Sequence, residues 1–355
     1  MKKKKSLRII IACLAFIVLL IGSIGFEKYN NIIDPHKAFK KDLKKLQETQ
    51  ELQKGELKIF EEEGNLEQEK SSHQQMKLSD SFNKNAINIL LLGIDSSTER
   101  ESMRMGYRSD SIIVTSVDLD TKEVKMLSIP RDTYTDVPGN KSKDKINHAM
   151  AFGGGPKKKG NQYAIEAVEG LLGINIHYYV TVDMDAVEII VDTIGGVTID
   201  VERDMDLGEV ILTKGEQKLN GNQIMVYIRN RNVPSGDFAR IGQQQRFMIA
   251  LFEQVKKNGE LSDVVPLYLK MKDKIYTDLK IDQIGALVLL LKDLEPETIE
   301  TFTLKGKGKR INGIYYLEVD RTYMEEIIEE HFKREGGNIE DKENTREISI
   351  LEALA

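Results

Sequence analysis

An α/β layered domain, held outside a membrane by an N-terminal anchor and a polar stalk, is the architecture this sequence predicts. Three observations carry that prediction. An uncharged run, Ile9–Phe26, follows Lys2, Lys3, Lys4, Lys5 and Arg8. Three apolar runs rich in Ile, Leu and Val lie between residues 87 and 129, each meeting a charged group at an edge. Beyond them, runs of strand length alternate with helical patterns, as in layered α/β domains.

Composition narrows the function. The formal net charge is −6 over 355 residues. Mild acidity argues against nucleic acid as a partner, which needs a basic face. Cys13 is the single cysteine, so one chain can build neither a disulfide framework nor a Cys-based zinc site. His36, His73, His148, His177 and His331 form no HExxH or similar metal motif.

Residues 1–8 read as a basic cytoplasmic segment, because basic residues flank the inner side of a span. At about 1.5 Å per residue, the run 9–26 nearly crosses a bilayer core and reads as a transmembrane anchor. A cleavable signal peptide shares the basic start, but this apolar run is long and no A-x-A site follows. In either case the rest of the chain lies outside the cytoplasm. Residues 27–85 are polar, with Leu43, Leu46, Leu52 and Leu57 as sparse apolar points. They read as a helical stalk or spacer, too irregular for a coiled coil. The globular domain is expected over 86–335, and 336–355 as a loose acidic tail.

Within the domain, Ile87–Leu92, Ser111–Val117 and Val124–Ile129 suit buried strands. They end at or follow Asp95, Arg108-Ser109-Asp110 and Pro130-Arg131-Asp132. Two acids and two arginines at strand edges suit a metal ion and a phosphate group. Ordinary solvated strand ends are the plainer reading of any one of them. Lys143–Ala149 suits a short helix or turn, and Gly153–Lys159 a surface loop, since it lacks the order of a P-loop. Asn161–Leu172 suits an amphipathic helix, Tyr178–Val182 a strand, Met184–Ile194 a helix stopped by Gly195-Gly196, and Val197–Val201 a strand. Asn220 is a plausible N-cap for a helix through Arg229. A long helix then runs to about Lys257, Leu261–Leu294 is largely helical, and Ile299–Leu304 and Ile314–Val319 are strands around a solvated loop, Lys305–Gly313. Asp320–Lys333 closes the domain as a helix.

A second charged constellation runs from Arg229 and Arg231 to Asp237, Arg240 and Gln244. On a helix the last three share a face. Arg229 and Arg231 point the same way only if the chain is extended between them. Guanidinium groups pair with phosphate oxygens; a surface salt-bridge network is the alternative.

The order Gly93-x-Asp95, Arg108-x-Asp110, Ser128-Ile129-Pro130-Arg131-Asp132, Lys145-Ile146-Asn147 and Gly195-Gly196-Val197 resembles the LytR-CpsA-Psr (LCP) family. So does Leu219-Asn220-Gly221 with Tyr227-x-Arg229-x-Arg231 and Asp237-x-x-Arg240, then Gln243-Gln244-Gln245. The resemblance covers residues 85 to 257 strongly. It implies an α/β fold with a central mixed β-sheet flanked by helices and a pocket for a lipid tail. It also implies a membrane-anchored enzyme of the Gram-positive envelope. Such an enzyme transfers an anionic glycopolymer (wall teichoic acid or capsular polysaccharide) from a polyprenyl-pyrophosphate carrier to peptidoglycan through a phosphodiester bond.

Carried over by position, Asp95 and Asp110 match acids that hold Mg2+ (or Mn2+) on the pyrophosphate. Arg108, Arg131, Arg229, Arg231 and Arg240 match the arginines around it. Gln244 matches a polar contact, and Asp237 an acid that orients the arginines or helps at the metal. Lys145 is placed at the polymer or phosphate. Asp95, Arg108, Asp110 and Arg131 are the expected catalytic set. Asp95 and Asp110 are the candidate bases, although a metal-bound acid is a poor one. Gln243 departs from the family, which often has arginine there. The long Met-rich loop between Asp95 and Arg108 and the segment Lys157–Gly160 also depart, where they would reshape an acceptor groove. A pyrophosphatase acting on the same carrier, and a non-catalytic wall regulator or lipid-binding protein, are the competing functions.

Overall fold

The computed structural model describes residues 31–32, 34–45, 48, 85–95, 106–208, 210–231, 236–257, 264–292 and 294–333. The basic segment, the anchor run 9–26, most of the stalk, residues 96–105 and the acidic tail lie outside the described residues. Among the described residues, no helix is long and apolar enough to cross a membrane.

Two compact units emerge. The larger is built on six strands in the order β11 (Ile275–Thr277), β6 (Tyr178–Asp183), β1 (Ala86–Asp95), β2 (Arg108–Asp118), β3 (Val124–Ser128) and β12 (Glu300–Thr303). Strand β1 is parallel to β6 and antiparallel to β2, which is antiparallel to β3; β3 and β12 are parallel. The sheet is therefore mixed, and β1, β3, β6 and β12 deliver their C-terminal ends to one edge. That edge is where open α/β sheets place ligands.

Near-continuous apolar runs form β1 to β3 because residues on both faces are buried. Leu90, Leu92 and Ile94 pack with Val114, Leu127 and the helix Gly160–Leu172 in one core, while Ile89 and Ile113 are buried at alternate positions. A second core forms around β7 (Val197–Val201) and β10 (Gly215–Leu219), where Ile199 and Leu219 pack with Tyr227, Ile228 and Phe247. Short pairs complete the unit: β4 (Tyr134–Thr135) with β5 (Asp144–Lys145), β8 (Met205–Asp206) with β9 (Ile211–Leu212), and β13 (Gly306–Ile311) with β14 (Ile314–Val319).

Two expectations need correction. The segment Lys305–Gly313 is not a loop: Gly306–Ile311 is strand β13, turned back on β14 through Asn312 (φ 50°) and Gly313 (φ 80°). An Asn-Gly pair with both residues at positive φ is a strong hairpin signal. The alternating Gly and Lys before it hid the strand, because they supply no apolar period. Within the expected helical stretch Leu261–Leu294, Ile275–Thr277 instead forms edge strand β11.

The smaller unit joins the helix over residues 35–45 to the helix Ile281–Leu291. Gln283 Nε2 donates to the Ala38 carbonyl (3.2 Å) and Asp42 (2.9 Å), and Asn31 donates to Asp282 (3.0 Å). Gly285 leaves room for Ile32, which would lie 3.2 Å from an added Cβ. Part of the polar stretch 27–85 thus has specific helical partners.

Local chemistry explains the Leu219-Asn220-Gly221 motif. Asn220 accepts from the Gln223 amide while the Gln223 side chain accepts from the Asn220 amide, a complete capping box. Gly221 sits where a Cβ would run into the Glu188 carbonyl, and its amide donates to Asp192 at 2.8 Å. Asn220→Ala should cost about 1 kcal/mol of stability, measurable as a lowered urea midpoint with an unchanged slope.

At the opposite edge of the sheet, the Asn88 amide donates to His177 Nδ1 at 2.9 Å, and the His177 amide returns a bond to the Asn88 carbonyl. The ring must be neutral at Nδ1 to accept. Loss of water around it pushes its pKa down to about 4. Above roughly pH 6.5, the pKa of a solvated imidazole, neither state binds this proton and the stabilisation is complete. As pH falls toward 4, the unfolded chain takes up a proton that the folded chain refuses, so stability declines. Comparing unfolding at pH 7.5 and 4.5, His177→Asn, which keeps an acceptor but does not titrate, should lose roughly 2–3 kcal/mol less than the natural chain.

Candidate active site

The bulge in β2 creates the site. Gly93 pairs with Ser111 but Ile94 pairs with Ser109, so Asp110 is the extra residue, and Asp95 ends opposite Arg108. Bulges re-aim side chains at sheet edges. Here both Asp95 and Asp110 reach one cavity of about 150 Å³, together with Arg229, Arg231, Arg240 and Gln244. Gly93 assists: a Cβ there would lie 3.1 Å from Ser111 Cβ and 3.7 Å from Met184, whose side chain also lines the cavity.

The arginines arrive from two helix termini. Arg229 is the last residue of the helix Gly221–Arg229, and Asn230 continues in extended conformation (φ −65°, ψ 129°), so Arg229 and Arg231 can line the same space. Arg240 and Gln244 lie one turn apart on the helix Asp237–Lys257. Arg131, just past β3, donates from Nη1 to Asp110 at 2.6 Å, and its Nε lies 3.7 Å from Asp237 and 3.9 Å from Asp132. Asp237 also lies 2.6 Å from Arg240 Nη2. Lys145 stands one step further out, at 2.7 Å from Asp132.

These charges are costly to bury. Arg240 is only 2 % exposed. Burial pushes its pKa down; Asp237 opposes this, while Arg131 and Arg231 add to it. Burial acts on Arg131 the same way, but Asp110, with Asp237 and Asp132, outweighs it and raises the value. Despite the close ion pairs, Arg131 Nε and Arg240 Nε and Nη2 make no aligned hydrogen bond; nor does Asp237 Oδ2. Buried donors without acceptors are rare and expensive in native proteins.

Most of the predicted residues therefore converge. Asp95, Asp110, Arg229, Arg231, Arg240 and Gln244 share the cavity, and Arg131 and Asp237 form the ion network beside it. Arg108 faces Asp95 across the ladder without lining the cavity, and Lys145 reaches the network only through Asp132. Asp132 is a participant the sequence signalled only as the neighbour of Arg131. Met184 and Ile228, the apolar lining, carried no signal beyond core periodicity. The three glutamines divide their work. Gln243 is fully buried, and turning its amide nitrogen toward the carbonyls of Tyr227 (3.2 Å) and Asn230 (3.3 Å) satisfies it. Gln244 lines the cavity. Gln245 Nε2 lies within 2.9 Å of Ser128 Oγ and the Phe302 carbonyl, tying the long helix to the ends of β3 and β12.

The chain is similar over most of its length to several known proteins. The polyisoprenyl-teichoic acid–peptidoglycan teichoic acid transferase TagU of Bacillus licheniformis is 29% identical over 330 residues, 93% of this chain and 95% of that protein. The crystal structure of Bacillus subtilis TagV superposes with a TM-score of 0.60 at 31% identity, covering 69% of this chain and 95% of that one. A structure of TagT bound to LIIa-WTA superposes with a TM-score of 0.58 at 26% identity, covering 73% and 97%. The profile of the LytR_cpsA_psr family matches residues 34–333, and the chain belongs to that family.

Proposed function

We propose that this protein transfers a teichoic acid or related anionic glycopolymer from a polyprenyl-pyrophosphate carrier to a hydroxyl of peptidoglycan. The observation that carries the reading is a small cavity lined by three arginines, Arg229, Arg231 and Arg240, and two carboxylates, Asp95 and Asp110. A pyrophosphate with a cation on it matches that pattern of charge. Relatives named as teichoic acid–peptidoglycan teichoic acid transferases support the substrate class.

In such a transfer the acceptor hydroxyl gives up its proton, which ends on the departing phosphate or in solvent, as its oxygen forms a bond to the polymer-linked phosphorus. The bond from that phosphorus to the bridging oxygen breaks, and the carrier leaves as a monophosphate. Little covalent chemistry falls to the protein; it must position the groups and spread charge. Arg229, Arg231 and Arg240 face the non-bridging oxygens. Arg131 is held in place by Asp110 and Asp237 and presents its Nε toward the same network. Met184 and Ile228 limit water at the phosphates.

Asp95 and Asp110 fit a divalent cation. They share the cavity, and no group of three or more His, Cys, Asp or Glu able to hold a metal occurs among the described residues. Two carboxylates suit Mg2+ (or Mn2+), which keeps waters and shares phosphate oxygens. When bound there, the ion neutralises charge on the pyrophosphate. The run Ile9–Phe26 would anchor the enzyme beside its lipid-linked substrate, with the catalytic domain outside the cytoplasm.

A purified enzyme incubated with lipid-linked polymer, magnesium and peptidoglycan oligomers should yield a polymer–glycan adduct; free phosphorylated polymer as the sole product would establish hydrolysis instead. In that assay Arg240→Ala should lower kcat/KM by roughly 10²–10³-fold, the scale of a lost charge-stabilising donor. Arg240→Lys should restore only part, because ammonium lacks the planar fork. Asp95→Asn and Asp110→Asn should each weaken magnesium affinity by about tenfold or more, read by calorimetry and as a raised magnesium concentration for half-maximal turnover. Wild-type magnesium binding in both would remove these acids from the metal.

A further inference from the structure

We propose that the β13–β14 hairpin forms a cationic track that holds the phosphodiester backbone of the donor polymer where it leaves the arginine cavity. The proposal rests on reading that cavity as the pyrophosphate site. The hairpin is attached directly to the loop that carries Arg131. The Leu317 amide donates to the Asp132 carbonyl at 2.9 Å, and Thr133 bridges to Leu317. From Arg131, contacts continue outward without a break. Asp132 pairs with Lys145 at 2.7 Å, Lys145 Nζ lies 5.7 Å from the Tyr316 ring, and Tyr316 packs on Tyr134 at 4.9 Å. Lys309 stands opposite Tyr316 in the ladder, and Lys307 opposite Glu318. Alternation along a strand puts Lys307 and Lys309 on one face with Tyr316.

The charge on this hairpin is unlike that of the chain. Lys307, Lys309 and Arg310 are exposed, and Glu318 is the single acid within β13 and β14, in a protein of net charge −6. Glycine at 306 and 308 leaves the lysines as the side chains of that half of β13. A Cβ at Gly306 would collide with the Glu318 carbonyl, and one at Gly308 would lie 2.8 Å from the Tyr315 ring. Lys309 pairs with Glu318 at 2.9 Å, but both side chains are about half exposed, at 44 % and 57 %. Such a pair is worth little and yields to a polyanion. Cations of one sign, repeated along an extended strand, match a linear polymer with phosphates of one sign. A glycan acceptor has no repeating phosphate to match them. The donor polymer is joined to the phosphorus that occupies the cavity, so it must pass over the adjoining surface.

The test uses the full-length protein in detergent and the double variant Lys307→Gln/Lys309→Gln. Lipid-free poly(glycerol phosphate) should bind the variant several-fold more weakly. The slope of log affinity against log salt should fall by about 1.5, the loss of two phosphate contacts. The charge-keeping variant Lys307→Arg/Lys309→Arg should bind like wild type, with the same melting temperature in all three. In turnover, KM for a donor with a long phosphodiester chain should rise several-fold more than KM for a donor bearing only a disaccharide. Equal affinity of wild type and double variant for the polymer, or a selective loss of binding to soluble peptidoglycan oligomers, would overturn the proposal. If wild type turned over neither donor, the transferase reading would fail while the binding comparison still judged the track.

Discussion

One carboxylate organises this site. Asp237 Oδ1 stands 2.6 Å from Arg240 Nη2 and 3.7 Å from Arg131 Nε, joining a strand end to the start of a helix far along the chain. Without it, Arg240 would lose its carboxylate partner at 2.6 Å, while Arg131 would keep Asp110 and, at 3.9 Å, Asp132. Breaking one partner of a buried ion pair costs several kcal/mol because the remaining charge stays buried. The network is nevertheless incomplete by its own contacts: Arg240 is almost fully buried, and its Nε and Nη2 lack an aligned acceptor. A fold selected only for stability would replace such groups with apolar ones. Their retention makes sense as a positively charged wall for the cavity, which Arg240 lines with Arg229 and Arg231.

The site is only as precise as the helix that carries Arg240. Two devices fix that helix. Gln245 ties it to Ser128 and Phe302 at the sheet edge. Further along, Arg246 Nε donates to the Tyr227 hydroxyl at 3.2 Å, Arg246 Nη2 pairs with Glu202 at 2.7 Å, and Tyr227 donates to Glu202 at 3.0 Å. Burial pushes the Tyr227 pKa up to about 12 despite the opposing pull of Arg246, so the phenol stays protonated and keeps donating. The tyrosine of the Tyr-x-Arg-x-Arg motif is thus fully buried structure, while the arginines two and four residues later face the cavity.

Much of this was legible in the sequence, for reasons that differ by element. Strands β1 to β3 announced themselves because burial on both faces requires unbroken apolar runs. Asp237, Arg240 and Gln244 were readable as one face because helical spacing is local. Arg229 and Arg231 depended on an extended Asn230, a condition that could be stated but not decided beforehand. What sequence could not show was nonlocal. The register slip that singles out Asp110 exists only in the pairing of β1 with β2. The separation of Gln243, Gln244 and Gln245 into helix end, cavity and sheet edge depends on which neighbours each finds. Strand β13 was misread because glycine and lysine carry no hydrophobic period, although Asn312-Gly313 encoded its turn.

The register slip also explains why two acids can coexist with this many arginines. In a regular ladder, alternate residues of β2 would present Arg108 and Asp110 to the same face. With Asp110 as the extra residue, it is freed to accept from Arg131 while still lining the cavity with Asp95. Arg108 stays opposite Asp95 at the rim. Asp110 therefore serves two partners: one oxygen fixes an arginine, and the carboxylate adds negative charge beside Asp95. Arg229, Arg231 and Arg240 line the same cavity, so its two acids and three arginines offset one another across a small space. A lining of both signs suits a group that itself carries both, and the bulge is what brings the second acid into it.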